Sequence, residues 1–198
     1  NESLKKFSDL DVTCKKVDVS NESELADILK GQKYVINACP YMFTPFIAKA
    51  TKEAEAHYFD LTEDVANTKV VKELAKDAKS TFMPQCGLAP GFVSISANYL
   101  ADKFDEIEEL RMRVGALPKY PTNALKYNLT WSTDGLINEY CQLCDALANG
   151  ETVKLPPLEG LERFAIEGID YEAFNTSGGL GSLCDTLKGK AKNLNYKS

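Results

Sequence analysis

The stretch NACPYMFTPFIAKATKEAEAHYFDLTED (37–64) decides the fold class of this chain. Two apolar runs, YVINAC (34–39) and AHYFDL (56–61), end in small and polar residues and enclose a helical pattern with Pro45 in its first turn. A helix between two short apolar strands is typical of a right-handed crossover that joins parallel strands. The carboxyl ends of such strands meet at one edge of the sheet, which is where open α/β sheets bind their ligands.

The same alternation of strands and helices continues on both sides of this stretch. Before this stretch, a strand is predicted at VTCKKVDV (12–19) and a helix at NESELADILKG (21–31), with Asn21 or Ser23 near its cap and Gly31 after its end. After it, a helix is predicted at VANTKVVKELAKDA (65–78) and a strand at STFMPQC (80–86). A sharp turn at Pro90 and Gly91 then leads into a helix in GLAPGFVSISANYLADKF (87–104). The strands are apolar almost throughout, as expected when helices cover both faces of a sheet. We therefore predict an α/β unit with a partial Rossmann-like parallel sheet.

The pattern changes after about residue 105. Two strands are predicted, EELRMRVGALP (108–118) and LKYNLTWS (125–132), followed by a helix at DGLINEYCQLCDALANG (134–150) that Gly150 closes, strand-and-turn segments over 151–183, and a last strand at NLNYKS (193–198). This order indicates an α+β domain with an antiparallel or mixed sheet. We predict a partial dinucleotide-binding domain at 1–104 and a substrate-binding or dimerisation domain at 105–198.

Composition limits the classes of function that are open to the chain. The 198 residues carry a net charge of −6, with 44% hydrophobic and 26% charged residues, which is ordinary for a globular protein. No basic block offsets this charge, so we expect neither a nucleic-acid partner nor an anionic membrane surface. No apolar run is long enough to span a membrane, and the polar start NESLKKFSDL does not resemble a signal peptide.

The six cysteines are scattered, and we interpret them as reduced thiols of a cytoplasmic protein. Cys141 and Cys144 have CxxC spacing, but they lie in a helical pattern with no second pair and no nearby histidine. Two small apolar residues on a helix face are therefore the favoured interpretation, over a zinc or redox site. The single histidine, His57, precedes a buried strand, and we expect a structural role for it. No metal site is predicted.

The strand ends supply the candidate ligand-binding residues. Asp18 ends the first predicted strand, Asn37, Ala38 and Cys39 end the second with Tyr41 just beyond, Asp60, Leu61 and Thr62 end the third, and Gly87, Pro90 and Gly91 form the turn at the fourth. An aspartate at a strand end is more often a helix cap than a ligand contact, so each signal alone is weak. Four strand ends on one edge predict a nucleotide site there.

Five segments resemble the saccharopine dehydrogenase family, most closely its lysine 6-dehydrogenase and saccharopine reductase branch. They are VINACPY (35–41), YFDLTED (58–64), CGLAPGF (86–92), RVGALPKYPTNALKYNLTWSTDGLINEY (113–140) and YEAFNTSGGLGSL (171–183). The resemblance covers nearly the whole chain. Members begin with a strand and a GxGxxG turn, which this chain lacks, and end in a segment that returns to the nucleotide domain. The resemblance thus implies a fragment that is inactive by itself.

The resemblance implies an NAD- or NADP-dependent oxidoreductase that acts on a carbon–nitrogen bond of an amino acid. It places the cofactor against nine residues: Asp18, Val19, Asn37, Ala38, Cys39, Leu61, Thr62, Gly87 and Pro90. An amine must lose a proton before hydride leaves its carbon, so Tyr41 or Asp60 is predicted to assist catalysis. Tyr41 would also line the substrate pocket.

One departure from the family concerns the substrate. Saccharopine reductases resemble WSSRG where this chain has WSTDG, so Asp134 stands where an arginine would meet a substrate carboxylate. An anion in place of a bidentate cation favours an ammonium-bearing substrate such as lysine over saccharopine. An aspartate that caps the following helix is an equally good interpretation. Thr176 and Ser177 in NTSGGLGSL (175–183) are predicted to contact the substrate, with a structural turn as the alternative.

Two other functions stay open on the sequence alone. The chain could belong to a saccharopine reductase, or to a non-catalytic relative that uses the same fold for dimerisation or binding. The family resemblance also implies a homodimer formed through the second domain.

Overall fold

A computed structural model describes residues 10–124 and 127–198 of the chain. The first sheet has three parallel strands in the order β1 (Tyr34–Asn37), β2 (His57–Asp60) and β3 (Phe82–Met83). Three helices accompany it, namely α1 (Glu22–Leu29), α2 (Thr44–Glu53) and α3 (Val65–Ala75), and a short 3-10 helix at Tyr41–Phe43 leads into α2. The predicted parallel α/β arrangement is confirmed.

Local sequence signals fix the ends of these helices. The Asn21 side chain accepts hydrogen bonds from the backbone N–H groups of Ser23 and Glu24, and the Asp64 side chain accepts one from Asn67, so each residue caps a helix as the N-terminal preference predicts. The first core lies between the helices and the sheet. Its best-buried members include Ile47, Ala48, Ala56, Tyr58 and Val71.

The strand predicted at 12–19 is wrong. Backbone hydrogen bonds to a partner strand are absent there among the described residues, and Val12 is 53% exposed. A strand forms only where a neighbour pairs with its backbone, and the pairing in this sheet runs from β1 to β2 to β3. Val19 nevertheless packs against the first core.

The second sheet is mixed, with the strand order β4–β9–β5–β6. Its strands are β4 (Ile107–Arg113), β5 (Cys144–Ala148), β6 (Glu151–Leu155) and β9 (Ala191–Lys197), while β7 (Glu162–Ile166) and β8 (Ile169–Ala173) form a separate hairpin. The last strand lies in the middle, parallel to β4 and antiparallel to β5. This arrangement confirms the predicted α+β unit.

Three helices belong to this half of the structure: α4 (Phe92–Ala101), α5 (Thr133–Cys141) and α6 (Leu183–Thr186). Ala97 and Ala101 of α4 pack in the second core together with Leu147, Leu183 and Leu194. Helix α4 therefore follows the first sheet in sequence but packs with the second. The predicted boundary between residues 104 and 105 stays a prediction.

Two predictions for this half need correction. Of the strand predicted at 125–132, residues 125 and 126 lie outside the described part, and residues 127–132 form no strand. The helix predicted over 134–150 ends at Cys141, and β5 follows. Asn149 and Gly150 both adopt positive φ, 52° and 84°, and turn the chain into β6. An Asn-Gly pair is the strongest short hairpin signal, and here it prevails over the helical periodicity.

The same correction changes the interpretation of the cysteine pair. Cys141 is exposed at the end of α5, whereas Cys144 is 3% exposed in β5, so the two do not share a helix face. His57 has the structural surroundings that were expected, since its Nδ1 accepts the N–H of Thr81 at 3.0 Å and its ring stacks on Tyr34.

In the described part of the chain, every helix is too short or too polar to cross a lipid bilayer. Across those same residues, histidine, cysteine and acidic side chains form no group of three or more that could hold a metal ion.

Candidate functional site at the strand ends and the adjoining junction

Asn37 and Asp60 lie side by side at the carboxyl ends of β1 and β2. The two strands are parallel, and these two residues are register partners. Both are buried, Asn37 with 4% and Asp60 with 1% of its surface exposed. The structure therefore brings together two of the predicted strand-end residues at the edge where α/β sheets bind ligands.

A buried hydrogen-bond chain joins them. Asn37 donates from Nδ2 to Thr44 Oγ1 at 3.2 Å and to the Tyr58 hydroxyl at 3.0 Å, and the Tyr58 hydroxyl donates to Asp60 Oδ2 at 2.9 Å. Burial of polar groups is tolerated when each has a partner, which is the case here. This series of hydrogen bonds fixes the ends of β1 and β2 relative to each other.

The other carboxylate oxygen of Asp60 holds two loops. Asp60 Oδ1 accepts the backbone N–H of Thr62 at 3.0 Å and that of Gln85 at 2.9 Å, and the Asp60 carbonyl accepts the N–H of Cys86 at 2.8 Å. Burial raises the pKa of this carboxyl, while the hydrogen bonds from Gln85, Thr62 and Tyr58 act in the opposite direction. Both oxygens are thus occupied in a structural task, and the catalytic role of Asp60 stays a prediction.

Exposed residues follow both strand ends at this edge. Ala38 and Cys39 after β1 are exposed, and Leu61 after β2 is 50% exposed. The Cys39 N–H donates to Asn37 Oδ1 at 3.0 Å, which fixes the turn. Thr62, by contrast, is only 6% exposed. Tyr41 is half-buried at the start of the 3-10 helix.

The turn after β3 is built by glycine and proline, as its sequence predicts. The Gly87 N–H donates to the Pro90 carbonyl at 3.0 Å, and Pro90 is fully buried. Gly91 has φ +136°, and a Cβ at this position would lie 2.1 Å from the Gly87 carbonyl oxygen. Only glycine fits there. The Gly87–Pro90 turn is held next to Asp60 through Cys86.

Asp18 and Val19 are not placed at the end of a strand. Asp18 is exposed, and its Oδ1 accepts the Ser20 hydroxyl at 2.6 Å and the Ser20 N–H at 3.0 Å, which lowers its pKa. The Asp18 N–H donates to Glu24 of α1. The structure gives Asp18 a role in the turn before α1, and its cofactor contact stays a prediction.

The predicted substrate residues occupy different surroundings. Asp134 is exposed in the first turn of α5, while Thr176 and Ser177 are 2% and 4% exposed. Ser132, not Asp134, caps α5, because the Ser132 Oγ accepts the Gly135 N–H at 3.1 Å. The capping alternative for Asp134 is therefore wrong, although an acidic residue in a first turn still favours the helix dipole.

Thr176 and Ser177 are tied to neighbouring elements. Thr176 Oγ1 lies 2.8 Å from the Ser198 Oγ, and the Ser177 N–H donates to the Glu139 carbonyl of α5 at 3.1 Å. These bonds anchor the loop against α5, as the alternative of a structural turn requires. Substrate contact by either residue stays a prediction.

Two acidic residues that sequence reasoning missed lie where α5 meets the segment after β2. Glu63 Oε1 is buried, and it has no hydrogen-bond partner among the described residues. Burial, together with the negative charge of Glu63, raises the pKa of Glu139 to about 8. Burial also raises the pKa of Glu63. In sequence, DLTED and NEYC carry no signal that distinguishes these glutamates from solvated ones.

Close contacts hold the segment after β2, which contains Glu63 and Asp64, between α5 and the loop that follows β8. Asn138 donates from Nδ2 to Asp64 Oδ2 at 2.9 Å. A Cβ at Gly178 would lie 2.3 Å from the Glu63 carbonyl oxygen, and one at Gly135 would lie 2.9 Å from Glu63 Oε1. Two glycines are thus required so that the second half of the chain can approach the strand-end edge.

A parallel sheet with a polar carboxyl-end edge, joined closely to an α+β unit, defines a two-part α/β protein of the class that binds ligands at the carboxyl ends of its strands. Family models agree with this class: residues 1–83 match the saccharopine dehydrogenase NADP binding domain, and residues 87–194 match the saccharopine dehydrogenase C-terminal domain. The chain belongs to the saccharopine dehydrogenase family. The resemblance seen in the sequence and the expected NAD(P) cofactor are confirmed.

Individual relatives fit this assignment. The chain is 27% identical over 140 residues to the mitochondrial alpha-aminoadipic semialdehyde synthase of Rattus norvegicus, and 28% identical over 138 residues to that of Bos taurus. These alignments cover 68% and 67% of this chain and 15% of each relative. The apo histidine-tagged saccharopine dehydrogenase (L-Glu forming) from Saccharomyces cerevisiae has the same fold, with a TM-score of 0.76 and 19% identity over 99% of this chain and 46% of that one.

The residues at the edge fit a nicotinamide nucleotide in part. Ala38, Cys39 and Leu61 present small or apolar exposed groups over the strand ends, and the buried polar groups of Asn37 and Asp60 beneath them are already satisfied. Such an edge can support a ribose or a nicotinamide ring through van der Waals contact and backbone groups.

Proposed function

We propose that this chain forms the strand-end half of the cofactor site and part of the substrate site of an NAD(P)-dependent oxidoreductase that acts on a carbon–nitrogen bond of an amino acid. The observation that carries the proposal is the register of Asn37 with Asp60, which places Ala38, Cys39 and Leu61 on one edge. Membership of the saccharopine dehydrogenase family supports the type of chemistry.

The protein groups have a limited chemical task in such a reaction. Oxidation of an amine removes a hydride from carbon, which NAD(P) accepts when bound, and a proton from nitrogen, which water or a side chain must accept. Tyr41 is the more accessible of the two predicted proton acceptors, since Asp60 is buried with both oxygens bonded. The protein would otherwise contribute orientation of the substrate and exclusion of water.

The substrate that we propose carries a lysine-like ammonium group. Asp134 is exposed on α5, close in sequence to Asn138 and Glu139, which lie against the segment after β2. An exposed carboxylate attracts an ammonium group and repels the extra carboxylates of saccharopine. Saccharopine is the second candidate, favoured by the name of the yeast protein that shares the fold.

A steady-state assay of the purified protein tests the proposal. Reduction of NAD(P) is measured with lysine, with other diamino acids and with saccharopine. We expect higher kcat/KM for lysine, and we expect D134R to move the preference toward saccharopine by about tenfold or more. The matched control is D170N, which changes an exposed aspartate in the β7–β8 hairpin. Higher kcat/KM of the unmodified protein on saccharopine would refute the lysine assignment.

We further propose that the protein is a cytoplasmic homodimer. The similar mammalian proteins are named as mitochondrial. Light scattering of the purified protein tests the dimer, and cell fractionation tests the location. A monomeric mass, or recovery of the protein in an organelle fraction, would overturn the respective part.

A further inference from the structure

Two glutamates from opposite halves of the chain meet where these halves touch. Glu63 belongs to the segment after β2, and Glu139 belongs to α5. A Cβ at Gly135 would lie 2.9 Å from Glu63 Oε1, so the Glu63 carboxyl group lies against α5. Glu139 follows Gly135 by four residues, which places both positions on the same side of this helix. We call Glu63 and Glu139 the junction pair.

No opposite charge balances the junction pair. Glu63 Oε1 is buried and has no hydrogen-bond partner among the described residues. Burial, and after it the negative charges of Asp64 and Asp60, raise the pKa of Glu63. In the described part of the chain, no lysine or arginine lowers the pKa of either glutamate. Two carboxylates that are withdrawn from water without a cation repel each other, so one of them tends to keep its proton.

The other groups that face the junction pair keep their charge state near neutral pH. The negative charge of Glu139 acts on one group in each of three elements, namely Tyr140 of α5, Cys144 of β5 and Tyr196 of β9. Burial is the main reason why the pKa of each is raised, to about 11 for Cys144, so these groups stay uncharged near pH 8. The loop 176–181, which also packs against Glu63, carries no titratable side chain.

We propose that the junction pair is a pH-operated latch between the two halves: a proton on Glu139 keeps the segment after β2 seated against α5, and loss of that proton separates the two locally. While one glutamate is neutral, the hydrogen bond from Asn138 to Asp64 and the packing of Gly178 on the Glu63 carbonyl hold the halves together. When both glutamates are charged, their repulsion acts across the same contact.

The latch has a consequence for the strand-end edge. Leu61 of this edge lies two residues before Glu63, so the state of the latch sets how closely the second half approaches the edge. The latch itself requires neither a cofactor nor a substrate, and it uses none of the predicted proton acceptors. It therefore goes beyond the proposed oxidoreductase.

Opening should occur on the alkaline side. Burial and the charge of Glu63 raise the pKa of Glu139 to about 8 in the closed arrangement, above the ordinary value of 4.5. The closed arrangement therefore binds the proton more tightly than the open one. Its advantage is fully present below about pH 4.5 and is lost as the pH rises through about 8. The equilibrium constant for opening should rise by up to about tenfold per pH unit within this window.

Nuclear Overhauser effects between the Glu63 side chain and the α-protons of Gly135 test the closed contact directly. They are measured on the ¹³C,¹⁵N-labelled protein from about pH 6 to 9.5, while the ¹³C shift of the Glu139 carboxyl group reports its proton. We expect the effects to weaken as Glu139 titrates. The emission of Trp131, the single tryptophan of the chain, should change over the same range, because its ring lies beside Gly135 as well.

Substitutions identify the latch. E139Q and E63Q each replace one carboxyl group by a neutral amide of nearly the same size, so the contact with Gly135 should persist to about pH 9.5 in both variants. E106Q changes an exposed glutamate before β4 and is the matched control, which should open as the unmodified protein does. The dispersion of the spectra verifies that each variant keeps the fold.

Three results would overturn the proposal. The first is a Glu63–Gly135 contact that stays unchanged over the whole pH range. The second is an E139Q protein that loses the contact at the same pH as the unmodified protein. The third is loss of the contact together with the dispersion of the whole spectrum, which would show general unfolding instead of local opening. The oxidoreductase proposal is read from cofactor reduction and is independent of all three.

Discussion

At the scale of single residues, the molecule is organised by buried carboxyl groups with contrasting surroundings. Each carboxylate oxygen of Asp60 accepts a hydrogen bond. Glu63 Oε1, by contrast, has no hydrogen-bond partner among the described residues. Burial disfavours the charged form of the Glu139 carboxyl group. Carboxyl groups of the first kind hold a structure together when ionised, and those of the second kind weaken it. These two situations lead to separate predictions.

Replacement of Asp60 by alanine should destabilise the protein by about 2–4 kcal/mol, because it leaves the Tyr58 hydroxyl and the N–H groups of Thr62 and Gln85 without their partner. Urea unfolding followed by circular dichroism measures this loss. The control is D170A, at an exposed site, which should change the stability by less than about 0.5 kcal/mol. Equal stabilities of the two variants would show that the Asp60 network contributes nothing.

Replacement of Glu139 by glutamine should flatten the pH dependence of stability. The pKa of Glu139 in the folded protein is about 8, above the ordinary value of 4.5, so the folded state holds the proton more tightly than the unfolded state. Its contribution is therefore fully present below about pH 4.5 and is lost as pH rises through about 8. We expect the unfolding free energy to fall between pH 5 and 8 by on the order of 1–3 kcal/mol in the unmodified protein, and less in E139Q.

Urea unfolding at several pH values in this window checks the prediction. E106Q, which changes an exposed glutamate before β4, serves as the control and should retain the full slope. If E139Q showed the same slope as the unmodified protein, the pKa of Glu139 would not be raised in the folded protein, and the prediction would be wrong.

At the scale of elements, glycine determines how closely the turns and helices approach. Gly91 begins α4 with φ +136°, and a Cβ there would meet the Gly87 carbonyl at 2.1 Å. Gly31 lies at the start of the loop after α1 with φ +78°, and an added Cβ there would have no atom within 4 Å. Gly91 is therefore required for both steric and conformational reasons, whereas Gly31 is required for its backbone conformation only.

G91A should therefore cost about 3 kcal/mol or more, since backbone strain and a clash add together, whereas G31A should cost about 1 kcal/mol from strain alone. Thermal unfolding of the two variants measures the difference. A G91A protein as stable as G31A would contradict the geometry of the Gly87–Gly91 turn.

The elements that depend on local signals could be predicted from the sequence. The period of apolar residues, the cap near Asn21 and Pro45 in a first turn predicted helices of the first half, and the strand ends Asn37 and Asp60 were placed on one edge by topology alone. The strand at 12–19 failed because a strand requires a neighbour, which no local pattern reveals. The prediction of a helix as far as Gly150 was wrong because the Asn149–Gly150 hairpin turn prevails over the helical periodicity of the residues before it. The burial of Glu63 and Glu139 arises only when distant segments meet.

At the scale of the whole molecule, the two halves meet through the segment that follows β2. Asn138 bonds to Asp64, and Gly135 and Gly178 allow α5 and the loop after β8 to touch Glu63. The same segment begins at Asp60 and Leu61 on the strand-end edge. A ligand at the edge would thus be bordered by both halves, which is the arrangement that an enzyme needs to bring a cofactor and a substrate together.

The central claim is that this edge forms part of the NAD(P) site, and a titration of the ¹⁵N-labelled protein with NADPH tests it most directly. We predict that the amides of Ala38, Cys39, Leu61 and Gly87 shift with added NADPH, whereas those of Tyr34, His57 and Thr81, at the opposite ends of the same strands, stay in place. Shifts confined to the opposite ends, or no shifts at all, would contradict the account.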